Sequence, residues 1–117
     1  MYILKNEKVI YIDCDETLIL WNYRTEFEDK TIEIGREGFK CRVLPHEPHI
    51  TEIKRHKARG QSIVVWSAAG FEWATQVVQA LQLEDYVDLV MSKPFAYYDD
   101  LSSQEFMGTK RYIRYGQ

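Results

Sequence analysis

Short apolar runs recur along the chain at intervals that suit buried strands. Residues 8–12 (KVIYI), 62–66 (SIVVW) and 86–91 (YVDLVM) are rich in β-branched and aromatic side chains and are too short for buried helices. Residues 95–98 are a fourth candidate of the same kind. Polar residues follow each run, as expected where a buried strand emerges into a loop. The pattern therefore predicts four strands.

Segments with helical periodicity separate most of these strands. One helix is predicted to begin near Pro48, because proline is favoured in the first helical turn, and to end at Gly60. A second covers roughly residues 71–81, where apolar side chains recur at four-residue spacing, and a last short helix is predicted at about 103–112. Strands that alternate with helices imply right-handed crossovers and a parallel sheet, whose ligand site lies beyond the carboxyl ends of the strands.

A β-hairpin is predicted at about residues 27–44, between the first strand and the first helix. Polar and apolar residues alternate on both sides of residues 35–38 (GREG), which supply the turn. A lone two-stranded hairpin is marginally stable in water, so its apolar side needs cover. We expect this hairpin, here named the flap, to pack over the entrance of the site or against a neighbouring subunit. The second arrangement would make the protein a homo-oligomer.

Composition narrows the class of protein. The 117 residues are 45% hydrophobic, which fits a single domain, 1–117, with a substantial core. The net charge of −3 disfavours a nucleic-acid partner. Two cysteines, Cys14 and Cys41, are too few for a disulfide framework, so both are expected to be reduced in a cytoplasmic protein. No signal peptide and no membrane-spanning apolar segment is evident, so no membrane partner is expected.

The ends of the predicted strands carry a set of residues with a common chemical logic. They are Asp13 and Asp15, Ser67, Lys93, and Asp99 with Asp100. Two carboxylates two positions apart can divide the work of attacking phosphorus and protonating the leaving oxygen. Asp13 and Asp99 together suit Mg²⁺, which prefers oxygen ligands. Ser67 and the backbone N–H groups after it suit an anion, and Lys93 offers a point charge to a phosphoryl oxygen.

These residues resemble, in order and in strand context, the motifs of the haloacid dehalogenase-like (HAD) phosphatase superfamily. Residues 13–18 (DCDETL) look like its D-x-D-x-T first motif, and Ser67 after a strand looks like the second. Lys93 followed by Pro94 looks like the third motif, and Asp99-Asp100 looks like the acidic fourth. The resemblance spans most of the chain. The interval between the first two motifs is too short for a folded cap domain, so the chain is similar to small capless members with a hairpin flap.

The resemblance implies a fold and a set of roles. The fold would be a three-layer α/β sandwich with a short parallel, Rossmann-like sheet. Asp13 would be the nucleophile and Asp15 the general acid and then the base. The phosphate-binding residues would be Thr17, Ser67, Ala68 and Lys93. The Mg²⁺ ligands would be Asp13, Asp15 through its carbonyl, and Asp99, with Asp100 able to share that role.

The implied reaction is Mg²⁺-dependent hydrolysis of a phosphate monoester through an aspartyl-phosphate intermediate. The sequence does not identify the class of substrate. Two alternatives stay open at this point. The same phosphoenzyme could transfer its phosphoryl group to an acceptor other than water, or the fold could be a non-catalytic module that recognises phosphate.

Simpler interpretations exist for each residue taken alone. Ser67 would more often be a helix N-cap, Lys93 a surface lysine and the aspartates turn or cap residues. Cys14 is interpreted as a core residue, because its side chain points away from its two aspartate neighbours in an extended segment. The histidines lack a metal-ligand partner set and are expected to be solvated. Packing under the flap is the simplest role for the aromatic residues after the first motif. These residues are Trp21, Tyr23 and Phe27.

Overall fold

A computed structural model describes residues 8–116 of the chain. The strands are β1 (Val9–Asp13), β2 (Ile19–Leu20), β3 (Ile32–Arg36), β4 (Phe39–Pro45), β5 (Ser62–Ser67) and β6 (Leu89–Ser92). The helices are α1 (Glu47–Ala58), α2 (Phe71–Ala80) and the single-turn α3 (Ser103–Phe106), with a 3₁₀ helix at Thr25–Lys30. This order confirms a mixed α/β protein.

The parallel sheet has the order β1-β5-β6, with β5 in the centre. Asp13 lies opposite Trp66, and Ser67 lies opposite Ser92, so the three strands end at the same edge. The third strand begins later than predicted, at Leu89, because the residues before it form a turn. The peptide N–H of Asp88 donates to the carbonyl of Ile63 (2.9 Å) at the point where this strand joins the sheet.

The predicted hairpin is confirmed, with shifted bounds. Its strands are β3 and β4, and β2 pairs with the other edge of β4 to make a small antiparallel sheet. The hairpin does not begin at residue 27, because Thr25–Lys30 is a 3₁₀ helix. Gly35 adopts φ +137° inside β3, and a Cβ there would collide with the carbonyl oxygen of Phe39, so this position requires glycine.

The hairpin is part of the hydrophobic core. Ile34 and Val43 lie on its inner face and belong to the same buried cluster as Ile53 of α1, Ile63 of β5 and Val77 of α2. Burial of an aliphatic side chain of this size contributes about 1.5–3 kcal/mol. Helix α1 packs on β5, and α2 packs on β5, β6 and β3. Helix α2 therefore joins the two sheets into one folded unit.

Three local predictions are wrong. Residues 95–98 form no strand, and the rings of Phe95 and Tyr98 are fully exposed, because no neighbouring strand pairs with them. The last helix ends at Phe106 rather than near residue 112. The histidines are buried rather than solvated. Their exposed fractions are 0% for His46, 8% for His49 and 8% for His56.

The arrangement of a three-layer sandwich stays a prediction, since the helix contacts establish two small sheets joined by α2 and no more. None of the helices in residues 8–116 is long and apolar enough to cross a membrane.

Candidate active site

The loop after β1, residues 14–18 and here named the β1 loop, is a tight turn built on one carbonyl. The oxygen of Cys14 accepts hydrogen bonds from the N–H groups of Thr17 (3.1 Å), Leu18 (2.8 Å) and Ile19 (3.2 Å). The turn requires Glu16 to adopt φ +62°, a left-handed conformation that is unusual for a residue with a side chain. Asp13 and Asp15 flank the buried Cys14, so both carboxylates emerge at the carboxyl edge of the sheet.

Asp13 is held between a cation and a hydroxyl. Its Oδ1 lies 3.3 Å from the ammonium of Lys93, and its Oδ2 accepts a hydrogen bond from the hydroxyl of Thr17 (3.3 Å). Lys93 is fixed in turn by its own N–H, which donates to the carbonyl of Ser67 (2.9 Å), and its ammonium lies 5.8 Å from the centre of the Trp66 ring. The carboxylate of Asp13 stays 31% exposed, so a ligand can reach it.

Asp15 is held differently, by two neutral donors. Its Oδ1 accepts hydrogen bonds from the indole Nε1–H groups of Trp21 (2.8 Å) and Trp73 (3.1 Å). The two indoles are stacked, with ring centres 6.0 Å apart and planes 23° apart. Because both donors use the same oxygen, Oδ2 is the atom left to exchange a proton. The sequence indicates neither contact, since it predicts only that Trp21 packs under the flap and that residues 71–81 form a helix with an apolar side.

Cys14 is excluded as a nucleophile. Burial, together with the carboxylates of Asp13 and Asp15, raises the pKa of its thiol to about 12, and Lys93 acts in the opposite direction. A thiol must ionise to attack, so this one is inert at neutral pH. The interpretation of Cys14 as a core residue is confirmed.

Ser67 lies at the end of β5, fully buried, and its Oγ accepts the N–H of Ala69 (3.0 Å). Its carbonyl accepts the N–H groups of both Gly70 (3.2 Å) and Lys93 (2.9 Å), so it ties the start of α2 to the end of β6. Ala68 follows and is exposed. The interpretation of Ser67 as a helix N-cap is wrong, because Gly70 is the N-cap of α2. The hydroxyl of Ser67 instead closes the turn that precedes this helix, and its carbonyl holds the N–H of Lys93.

The acidic pair Asp99-Asp100 is predicted from the sequence to supply a metal ligand. Asp99 and Asp100 are exposed in an irregular segment, and Asp99 Oδ1 accepts the N–H of Leu101 (2.9 Å). Within residues 8–116, no group of three or more His, Cys, Asp or Glu side chains is placed to hold a metal ion. Mg²⁺ usually binds one or two carboxylates and keeps several waters, so Asp13 and Asp15 fit it as a donor set in part. The structure does not add Asp99 or Asp100 to that set.

Comparison with known proteins identifies no relative. No family model matches the chain, and no curated protein or solved structure matches it. The assignment of a function therefore depends on the residues and on the geometry described above.

Proposed function

We propose that the protein is a phosphatase of the HAD-like type that hydrolyses phosphate monoesters through Asp13. The single observation that carries the proposal is the placement of Asp13 at the end of β1, with Lys93 on one oxygen, Thr17 on the other and Asp15 two residues away. A sheet edge that delivers two carboxylates and one lysine suits phosphoryl transfer, in which one carboxylate attacks and the other moves a proton.

In the proposed reaction, a carboxylate oxygen of Asp13 attacks phosphorus and the bond from phosphorus to the leaving oxygen breaks. Asp15 gives that oxygen its proton from Oδ2, the atom not occupied by the indoles. Water then attacks the aspartyl phosphate, its proton passes to Asp15, and the bond between Asp13 and phosphorus breaks to release phosphate. Lys93 has three N–H donors, so it can contact a phosphoryl oxygen without leaving Asp13, and Thr17 and Ser67 supply hydroxyls.

Mg²⁺ belongs to the proposal as the cofactor. When bound, it would neutralise negative charge on the phosphoryl group, with Asp13 and the carbonyl of Asp15 as its protein ligands. The three-layer Rossmann-like architecture and a cytoplasmic location belong to the proposal too. The location is supported by the two free cysteines, one of them buried.

The test compares two substitutions that separate the roles of the aspartates. Asp13→Asn should form no phosphoenzyme, because an amide is a very poor nucleophile. Asp15→Asn should lose about 10²–10⁴-fold in turnover and accumulate phosphoenzyme, since the second step lacks its base. Asp85→Asn is the matched control, as Asp85 is exposed in a turn far along the chain from the motif. Intact-protein mass after brief incubation with an aryl phosphate and Mg²⁺, quenched in acid, reads out the adduct.

The mass of the adduct, together with turnover and phosphate binding, decides between the alternatives. A phosphate adduct on Asp13→Asn would show that the nucleophile is assigned wrongly. Turnover that rises with added alcohol acceptors would favour phosphotransfer, and phosphate binding without any adduct would favour a recognition module. Excess EDTA should abolish turnover and added Mg²⁺ should restore it, so full activity in chelator would contradict the choice of cofactor.

A further inference from the structure

An irregular segment near the end of the described chain holds the β1 loop from outside. Within residues 112–116, here named the strap, the hydroxyl of Tyr112 donates to the carbonyl of Glu16 (2.7 Å). The N–H of Ile113 donates to Nε2 of His49 (2.8 Å), and Nδ1 of His49 lies 2.7 Å from the carbonyl of Thr17. The strap therefore reaches two successive carbonyls of the loop, one directly and one through a histidine.

The contacts of His49 fix both its tautomer and its orientation. Nε2 accepts a peptide N–H, so the proton lies on Nδ1 and is donated to Thr17. The ring is only 8% exposed, stacks on His46 with centres 3.8 Å apart, and meets the edge of Tyr112 at 4.9 Å. Because these contacts hold the ring of His49 in place, the ring can transmit the position of the strap to the β1 loop.

The loop has a physical need for these outside contacts. Three hydrogen bonds of the turn converge on the carbonyl of Cys14 and a fourth joins the N–H of Glu16 to the carbonyl of Ile19, so the carbonyls of Glu16 and Thr17 take their partners from outside the turn. Glu16 adopts the left-handed φ of +62°, a conformation that persists only where the surroundings hold it. Thr17 is the residue whose hydroxyl binds Asp13, so the turn also sets the position of that hydroxyl.

We propose that His49 and Tyr112 are positioning residues, through which the strap holds the β1 loop in the conformation that presents Thr17 to Asp13. The catalytic consequence rests on the proposed function, whereas the ordering of the loop does not. Neither residue touches the substrate in this scheme. They increase the fraction of molecules in which the β1 loop presents Thr17 to Asp13.

The first experiment compares two tyrosines of the same strap. Tyr112→Phe removes one hydroxyl and keeps the ring against His46 and His49, and half exposure of Tyr112 makes the change tolerable for folding. Tyr115→Phe is the matched control. Its ring packs on Phe27 and His46, and its hydroxyl makes no hydrogen bond within residues 8–116.

Amide hydrogen exchange measures the loop directly. We expect the N–H groups of Thr17 and Leu18 to exchange about three- to tenfold faster in Tyr112→Phe than in Tyr115→Phe or wild type, as for the loss of one hydrogen bond. With an aryl phosphate, kcat should fall by about the same factor in Tyr112→Phe alone, with KM unchanged. Equal exchange in the two variants would overturn the proposal.

Substitution of His49 supplies a rescue test. The amide of asparagine reaches the position of Nδ1 and can donate to Thr17, whereas the amide of glutamine reaches the position of Nε2 and serves only Ile113. His49→Asn should therefore retain more of kcat and of loop protection than His49→Gln. Equal losses in both would mean that His49 only fills space. If wild-type protein hydrolyses no phosphate monoester, the proposed function fails, and the exchange data still decide whether the strap orders the loop.

Discussion

The two indole donors on Asp15 give the sharpest prediction about the mechanism. Trp21→Phe and Trp73→Phe each keep an aromatic ring in the stacked pair and delete one N–H bond to Asp15 Oδ1, of 2.8 Å and 3.1 Å respectively. Hydrogen bonds to charged groups contribute about 1.5–3 kcal/mol, and each single variant retains one donor. We therefore expect about fivefold loss of kcat/KM for either single change. The double variant leaves Oδ1 unheld and should lose about 100-fold, more than the product of the singles.

The identity of the leaving group tells whether this loss concerns proton transfer. An alkyl phosphate needs protonation of a poor leaving group, whereas a nitrophenyl phosphate departs with little help. If the indoles keep Oδ2 aimed at the leaving oxygen, the loss should be concentrated on the alkyl phosphate. The assay is kcat/KM for both substrates in the two single variants, the double variant and wild type, with thermal unfolding measured alongside.

Trp66→Phe is the control, because it is the same chemical change at the remaining tryptophan of the chain. Its ring lies under Lys93 and its indole N–H does not contact Asp15. The control should show no change in leaving-group dependence. An equal loss for alkyl and aryl phosphates in the double variant would refute the reasoning, since it would place the tryptophans in folding or binding rather than in the orientation of Asp15.

Two further predictions concern stability. Burial and the neighbouring His49 lower the pKa of His46 below 6.5. Below that pH the unfolded chain therefore binds more protons at this residue than the folded chain does, so acid destabilises the fold. The loss in the free energy of unfolding is at most about 1.4 kcal/mol at about pH 5.5. His46→Asn, which keeps an N-cap acceptor without titrating, should reduce the difference between urea midpoints at about pH 7.5 and about pH 5.5. Asp88 accepts hydrogen bonds from Lys57 (2.6 Å) and the N–H of Ile63 (2.7 Å), which lower its pKa despite the opposing effect of burial. Asp88→Ala should lower the free energy of unfolding in urea near neutral pH by about 2–3 kcal/mol, and Lys57→Met should lower it by less. A loss below about 0.5 kcal/mol for Asp88→Ala would contradict this account.

The elements that the sequence predicts well are those encoded by local periodicity. Strands β1 and β5 are continuous apolar runs, and helices α1 and α2 carry an apolar side with a proline start or a glycine boundary, so their positions follow from short windows. The hairpin follows from alternation around a glycine-containing turn. The 3₁₀ helix Thr25–Lys30 was not predicted, because TEFEDK carries one apolar residue and therefore no period.

The errors occur where structure depends on distant partners. Residues 95–98 have the composition of a strand, but strand propensity expresses packing against neighbouring strands. Here Phe95 and Tyr98 are fully exposed, and Tyr97 packs on Phe106 of α3 rather than on a strand. His46 and His49 lie in a polar stretch, and their burial comes from Tyr112 and Tyr115, more than sixty positions away. The motifs predicted that Asp13, Ser67 and Lys93 would meet, because parallel strands end at one edge. They could not predict the indoles on Asp15, which arrive from a loop and from α2.

Asp13 and Asp15 lie two residues apart and yet have different electrostatic surroundings. Asp13 faces the formal positive charge of Lys93, whose ammonium lies 3.3 Å from its Oδ1. Asp15 faces the N–H dipoles of two indoles, which donate to its Oδ1 at 2.8 Å and 3.1 Å. Two carboxylates in unlike environments are the arrangement that acid–base chemistry needs, because one must remain an anion while the other exchanges a proton. Both environments depend on the same β1 loop, so the hydrogen bonds from the strap and His49 to that loop bear on both roles at once.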